Sequence, residues 1–268
     1  EVAGILDNIG PPNAPMPMAY IDNGVVGTGD ADILVSLRPG HQPTEEYVRR
    51  LRMRLTHSFP GVVFYFLPAD IVSQTINFGL PAPFDIQFVG RDQKGNRAAA
   101  GRLADELRHV PGVADVRVQQ PGDLPRLEWA VDRIRAAEIG VTERDVADSV
   151  LLSLSGSSQA KRVYWLNQKN GVQYLVDIRV PQREIDSLNT LHSIPVSIGR
   201  KGESDPQVLT NVATFRRSTS PPIVSHYNVK PVIDVLAGVN SRDLGGVLRD
   251  IRPLVAEAEK GLSKGNYI

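Results

Sequence analysis

The chain has 268 residues with 30 basic and 30 acidic side chains, so no net field draws it to nucleic acid or to an anionic membrane surface. An apolar share of 41% suffices for ordinary cores in more than one domain. Cysteine is absent, which excludes disulfide frameworks, Cys-ligated zinc and thiol nucleophiles and suits an oxidising compartment.

No apolar run approaches the roughly 20 residues that cross a bilayer. The opening EVAGILDNIG, starting at Glu1, reads as the middle of a strand, so an excised piece of a longer protein or a processed mature chain is expected. The stretch PPNAPMPMAY, residues 11–20, is a proline-stiffened loop carrying two thioethers and an aromatic ring. Asp32 to Leu37 is β-branched and apolar and predicts a strand. A helix is expected after it, capped by Thr44, with Tyr47, Val48, Leu51 and Leu55 on one stripe. Pro60-Gly61-Val62 stops that helix, and Val62 to Leu67 is expected to return as a strand. In PADIVSQTINFGLPAP, residues 68–83, a short helix breaks at Gly79, leaving Phe78, Gly79 and Leu80 as a hinge between modules.

The same punctuation then repeats. Phe84 to Val89 alternates apolar and polar, Leu103, Leu107 and Val110 mark a helix, and Pro111-Gly112-Val113 opens a second returning strand to Val118. A third unit closes the chain, with a strand at Val232 to Leu236, a helix through Leu244, Val247, Leu248, Ile251, Leu254 and Val255, and a final strand at Asn266 to Ile268. Between them lies a stretch of different texture. It holds a strand and a short helix stopped at Gly140, then a helix opened by Thr142 and Asp145 in capping-box spacing, then strands joined by a turn at Lys169-Asn170-Gly171. The pattern predicts an α+β protein: repeated split β-α-β, ferredoxin-like sandwiches with an α+β insertion.

Little points to chemistry. His41, His57, His109, His192 and His226 stand alone, with no metal-ligand spacing. Gly27-Thr28-Gly29 lacks the rest of a phosphate or calcium loop, and Ser155-Gly156-Ser157-Ser158 lacks a nucleophile-elbow frame. No catalytic residue, no enzyme activity and no cofactor is expected.

The order of ILDNIG, GTGDADILVSLRPGHQPTEEYVRRLR and FPGVVFYFLPADIVSQTINFGLPAPFDIQFVG, followed by VDRIRAAEIGVTERDVADSV and SPPIVSHYNVKPVIDVLAG, resembles the second large periplasmic loop of resistance-nodulation-division (RND) efflux permeases, of the hydrophobe/amphiphile type. The resemblance runs over essentially the whole chain. It implies a first porter subdomain over residues 1–80, a second over 81–126 and 219–268, and a docking subdomain over 127–218. It further implies a proton-driven multidrug antiporter of the inner membrane that works as a homotrimer with a periplasmic adaptor protein and an outer-membrane channel. Cargo would pass through clefts between the porter subdomains. By position, Pro15, Met16, Pro17, Met18 and Tyr20 fall in the family's switch loop and Leu34 where a pocket aromatic lies, so these six are the substrate-contact candidates. The loop departs from the drug pumps in having Pro and Met and no phenylalanine before Phe59. Two other readings stay open: a heavy-metal (Cu/Ag) exporter that uses the sulfurs of Met16 and Met18, and a free-standing periplasmic binding or assembly module. In isolation the chain is expected to be a monomer or a weak oligomer.

Overall fold

The computed structural model describes residues 2–10, 25–67, 80–196 and 207–268. Contacts divide it into two units, Glu1–Leu124 with Ser220–Ile268, and Pro125–Thr219. In chain order the elements are β1 (Val2–Ile9), β2 (Ala31–Leu37), α1 (Thr44–Ser58), β3 (Phe84–Val89), α2 (Gln93–Leu107), β4 (Val113–Val118), β5 (Leu124–Val131), α3 (Arg133–Glu138), α4 (Glu143–Ser155) and α5 (Ser157–Ala160). Then follow β6 (Val163–Leu166), β7 (Gln173–Val176), α6 (Leu188–His192), β8 (Pro195–Val196), β9 (Gln207–Val208), β10 (Ala213–Ser220), β11 (Ser225–Tyr227), β12 (Lys230–Val239) and α7 (Leu244–Lys260). The fold is α+β.

The main core belongs to the first unit. β12 is its central strand: it pairs antiparallel with β3 on one side and with β4 and the short β11 on the other. Tyr267 adds a bridge to the free edge of β3, its amide and that of Val89 exchanging hydrogen bonds of 3.0 and 2.9 Å. The order Tyr267, β3, β12, β4 is that of a split β-α-β sandwich. Period-two alternation sends Phe84, Ile86, Phe88, Val116, Ile233, Val235 and Ala237 to one face, where α2 and α7 cover them. α2 contributes Ala99, Ala100, Leu103, Ala104 and Leu107 to that core, and three alanines in the stripe let the helix lie close to the sheet. Its start is fixed by Asp92, whose carboxylate accepts from the Gly95 amide (2.9 Å) and the Ser263 hydroxyl (2.8 Å). Those two bonds, the Gly95 amide first, hold the Asp92 carboxyl below its ordinary value. Asn266 stands so close that a Cβ on Gly90 (φ 151°) would lie 2.9 Å from the Asn266 Cα, so the chain passes there only as glycine.

The other part of this unit is thinner. β1 and β2 form an antiparallel pair, and α1 carries no buried residue. Two local expectations are corrected here. The cap of α1 is Pro43, not Thr44, and it makes no side-chain hydrogen bond, because Thr44 already lies inside the first turn where proline's fixed φ pre-sets the entry. Val62 to Leu67 forms no strand ladder, although the strand propensity of VVFYFL is high. Propensity without a partner edge does not make a strand.

The second unit has its own core of Ala136, Val141, Val146, Ile194, Val196, Leu209, Val212 and Ala213. Thr142 and Asp145 form the capping box read from their spacing: the Asp145 amide donates to the Thr142 hydroxyl (3.2 Å) and the Thr142 amide to the Asp145 carboxylate (2.9 Å). α4 ends at Gly156, whose positive φ of 94° and nearness to the Asp177 carboxylate exclude a side chain. β5 pairs with β10, where Trp129 meets His192 edge to face and Phe215 packs tilted against both, and β6 pairs with β7 as a separate ribbon. Among the described residues no helix is long and apolar enough to cross a membrane.

Candidate functional site

The sheet of the first unit has a second face, away from α2 and α7, and the sequence makes it polar. On β3 the residues between the core positions are Asp85 and Gln87, and on β12 the residue opposite Gln87 is Asp234. Leu236 stands opposite Asp85 on one side and opposite Arg117 of β4 on the other, so an acid, a leucine and a base lie in a row across three strands. Gln87 donates to the Asp85 carboxylate at 2.9 Å. Gln120, fully buried, donates to Ser225 (3.0 Å) and to the Asp234 carboxylate, and its carbonyl takes the Asp234 amide at 2.7 Å. These bonds knit the carboxylates and amides into a polar wall, in which Arg117, Gln120 and Leu236 are buried.

Beside this wall the first elements of the unit meet β4. The register of β12 against β4 shifts between Leu236 and Gly238, and at that irregularity Asp115 takes a left-handed backbone, φ 55°. Such a bulge turns a side chain out of its strand direction. The Asp115 carboxylate receives both nitrogens of the Arg52 fork from α1, Nε and Nη2 at 2.7 Å each, and the Phe66 amide at 3.3 Å. The pair is largely out of water, with side-chain exposures of 7% for Asp115 and 22% for Arg52. Two residues along β4, the Arg117 guanidinium lies 3.7 Å from the centre of the Tyr65 ring and donates to the Pro81 carbonyl at 3.4 Å.

Of the residues singled out from sequence, Pro15, Met16, Pro17, Met18, Tyr20, Phe78 and Gly79 lie outside the described residues. Leu34 sits on β2 opposite Leu6, with 48% of its surface exposed. Leu80 is exposed and directly precedes Pro81. Sequence reasoning missed Arg52, Asp115 and Arg117. Their signal was an acid and a base two positions apart inside an otherwise apolar returning strand, while the partner of Asp115 is 63 residues away. Among the described residues no group of three or more His, Cys, Asp or Glu is placed to hold a metal ion.

A family model described as the AcrB/AcrD/AcrF family matches residues 21–265. The chain belongs to that family, the RND efflux permeases. Among its RND relatives, the nickel-cobalt-cadmium resistance protein NccA of Alcaligenes xylosoxydans xylosoxydans is 26% identical over 264 residues, 95% of this chain and 23% of that protein. The nickel and cobalt resistance protein CnrA of Cupriavidus metallidurans is 25% identical over 95% of this chain and 23% of its own length. The cation efflux system protein CusA of Escherichia coli is 25% identical over 75% of this chain and 19% of its own. The crystal structure of a heavy metal efflux pump superimposes on the whole of this chain with a TM-score of 0.70 at 18% identity, using 27% of the pump, a likeness of fold. This chain thus spans about a quarter of the RND proteins it matches.

Proposed function

We propose that the chain is the periplasmic portion of a proton-driven RND permease that exports heavy-metal cations, supplying walls of the substrate cleft and docking contacts. What supports a metal cargo over an amphiphilic one is that relatives sharing 95% of the chain carry nickel, cobalt and cadmium resistance in their names. Two features of the molecule agree. The wall of Asp85, Gln87, Asp234 and Arg117 is polar where a route for greasy drugs would be aromatic. The sequence ahead of β2 has Met16 and Met18 where drug pumps carry phenylalanine, and thioethers are soft ligands suited to soft cations.

In this reading Pro15, Met16, Pro17, Met18, Tyr20 and Leu34 contact the cargo, and Phe78, Gly79 and Leu80 let one porter subdomain, residues 1–80, move against the other, residues 81–126 with 219–268. Residues 127–218 dock onto the rest of a homotrimer, with a periplasmic adaptor and an outer-membrane channel as further partners. Expressing the complete permease, with its partner proteins, in a host stripped of efflux pumps tests the cargo. Tolerance to salts of nickel, cobalt, cadmium, copper or silver is expected to rise, tolerance to amphiphilic dyes to stay the same, and Met16→Leu with Met18→Leu to reduce the gain. Dye tolerance without metal tolerance overturns the proposal, and unchanged metal tolerance in the double variant removes the methionines from it.

A further inference from the structure

We propose that the Arg52–Asp115 ion pair, flanked by the Arg117–Tyr65 stack, is a releasable clasp that lets α1 lift from the edge of the β3–β12–β4 sheet. The argument begins with what α1 lacks. No residue of this helix is fully buried, and the side chains it shelters in part are Tyr47, Val48, Arg52 and Leu55. Its deepest specific attachment is a charge, and that charge reaches a carboxylate that is nearly out of water.

A fork-to-fork pair of this kind is demanding in geometry and modest in net strength. Both nitrogens must meet both oxygens, which fixes one orientation of α1 against β4. Yet the attraction is offset by the water that both ions give up, and on separation both regain it. An apolar seam behaves the other way, since parting it exposes greasy surface and opposes release in proportion to area. The Arg117–Tyr65 stack has the same character: the guanidinium and the phenol edge are each able to return to water. The joint is thus specific when shut and inexpensive to open.

The backbone at Asp115 favours the same reading. A left-handed aspartate at a register shift is a strained place for a residue whose purpose is only packing, and strain of this kind is retained where it aims a functional group. The Phe66 amide, bonded to the same carboxylate, ties the chain after α1 to the clasp, so α1 and residues 64–67 are released together. Leu236, Asp85 and Arg117 lie side by side across the strands, which places the clasp at the rim of the polar wall. This holds whether the cargo is a metal or a drug.

Amide hydrogen exchange on residues 1–268 tests it. In Arg52→Met the Phe66 amide is expected to exchange on the order of 10- to 100-fold faster, with Arg52→Lys between the two, while the Val235 amide at the centre of the sheet keeps its protection. Asp115→Asn, which tolerates the same backbone, is expected to act like Arg52→Met. Because the chain has no cysteine, spin labels at Glu46→Cys and Arg252→Cys give a second measurement. A single distance in the parent should gain a longer population in either variant. Unchanged exchange at Phe66 with an unchanged distance refutes the clasp. So does an equal loss of protection at Phe66 and Val235, which would make the pair a support of the whole fold instead of a joint.

Discussion

At the scale of single residues, the molecule keeps its uncommon backbone where a tight turn or a re-aimed side chain requires it. The hairpin from β11 to β12 turns through only Asn228 and Val229, both left-handed at φ 46° and 68°. Such a two-residue turn takes asparagine readily, whereas a β-branched side chain is crowded there, and Val229 gains nothing by packing because 94% of it is exposed. Val229→Gly is therefore expected to stabilise the chain by about 1 kcal/mol, the relief of crowding exceeding the entropy that glycine adds to the unfolded state. A rise in the urea midpoint at constant slope checks this, and a fall would show that the turn tolerates valine without strain.

At the scale of elements, α2, α3 and α7 are capped by Asp92, Asp132 and Asp243, and α4 by Thr142 together with Asp145. Asp145 is kept below its ordinary value of 3.8, first by the Thr142 hydroxyl and then by the Thr142 amide. A carboxyl whose value is depressed by folding stabilises the fold fully at pH well above 3.8. That contribution fades as pH falls below 3.8 and through the folded value. Comparing the parent with Asp145→Asn should thus show a constant stability gap from neutral pH down to about 5 and a closing gap below it. A gap independent of pH would mean that the charge of Asp145 contributes nothing to the cap.

The sequence was legible at this scale wherever a rule is local. Leu103 and Leu107 on α2, the alternation of β3 and the Thr142–Asp145 box all follow from spacing, and each is present in the structure. Legibility failed where the deciding partner is distant or missing. Thr44 looked like a cap but Pro43 precedes it, and Val62 to Leu67 has the residues of a strand without an edge to join. The Arg52–Asp115 pair needs two residues 63 positions apart to meet at a bulge, which no local pattern encodes. The polar wall was half legible: Asp85 and Gln87 show in the alternation, but their meeting with Asp234 depends on pairing across the insertion.

At the scale of the whole molecule, β4 and β12 are hydrogen-bonded neighbours although a complete second unit, Pro125–Thr219, is threaded between them. On a ribosome, β3, α2 and β4 emerge before the guest and must wait for their central strand until it has been synthesised. A guest that folds promptly brings its two ends to a fixed span and spares the host much of the entropy of closing so long a loop. Replacing Pro125–Thr219 by a short glycine-rich turn should accordingly speed refolding of the host sandwich on the order of 10- to 100-fold, as read by stopped-flow circular dichroism. An unchanged rate would mean that closure of β12 does not limit assembly. The interruption therefore sets a timetable for biogenesis: the nascent host is an open-faced sheet, in need of shelter from aggregation, until Lys230–Val239 arrives.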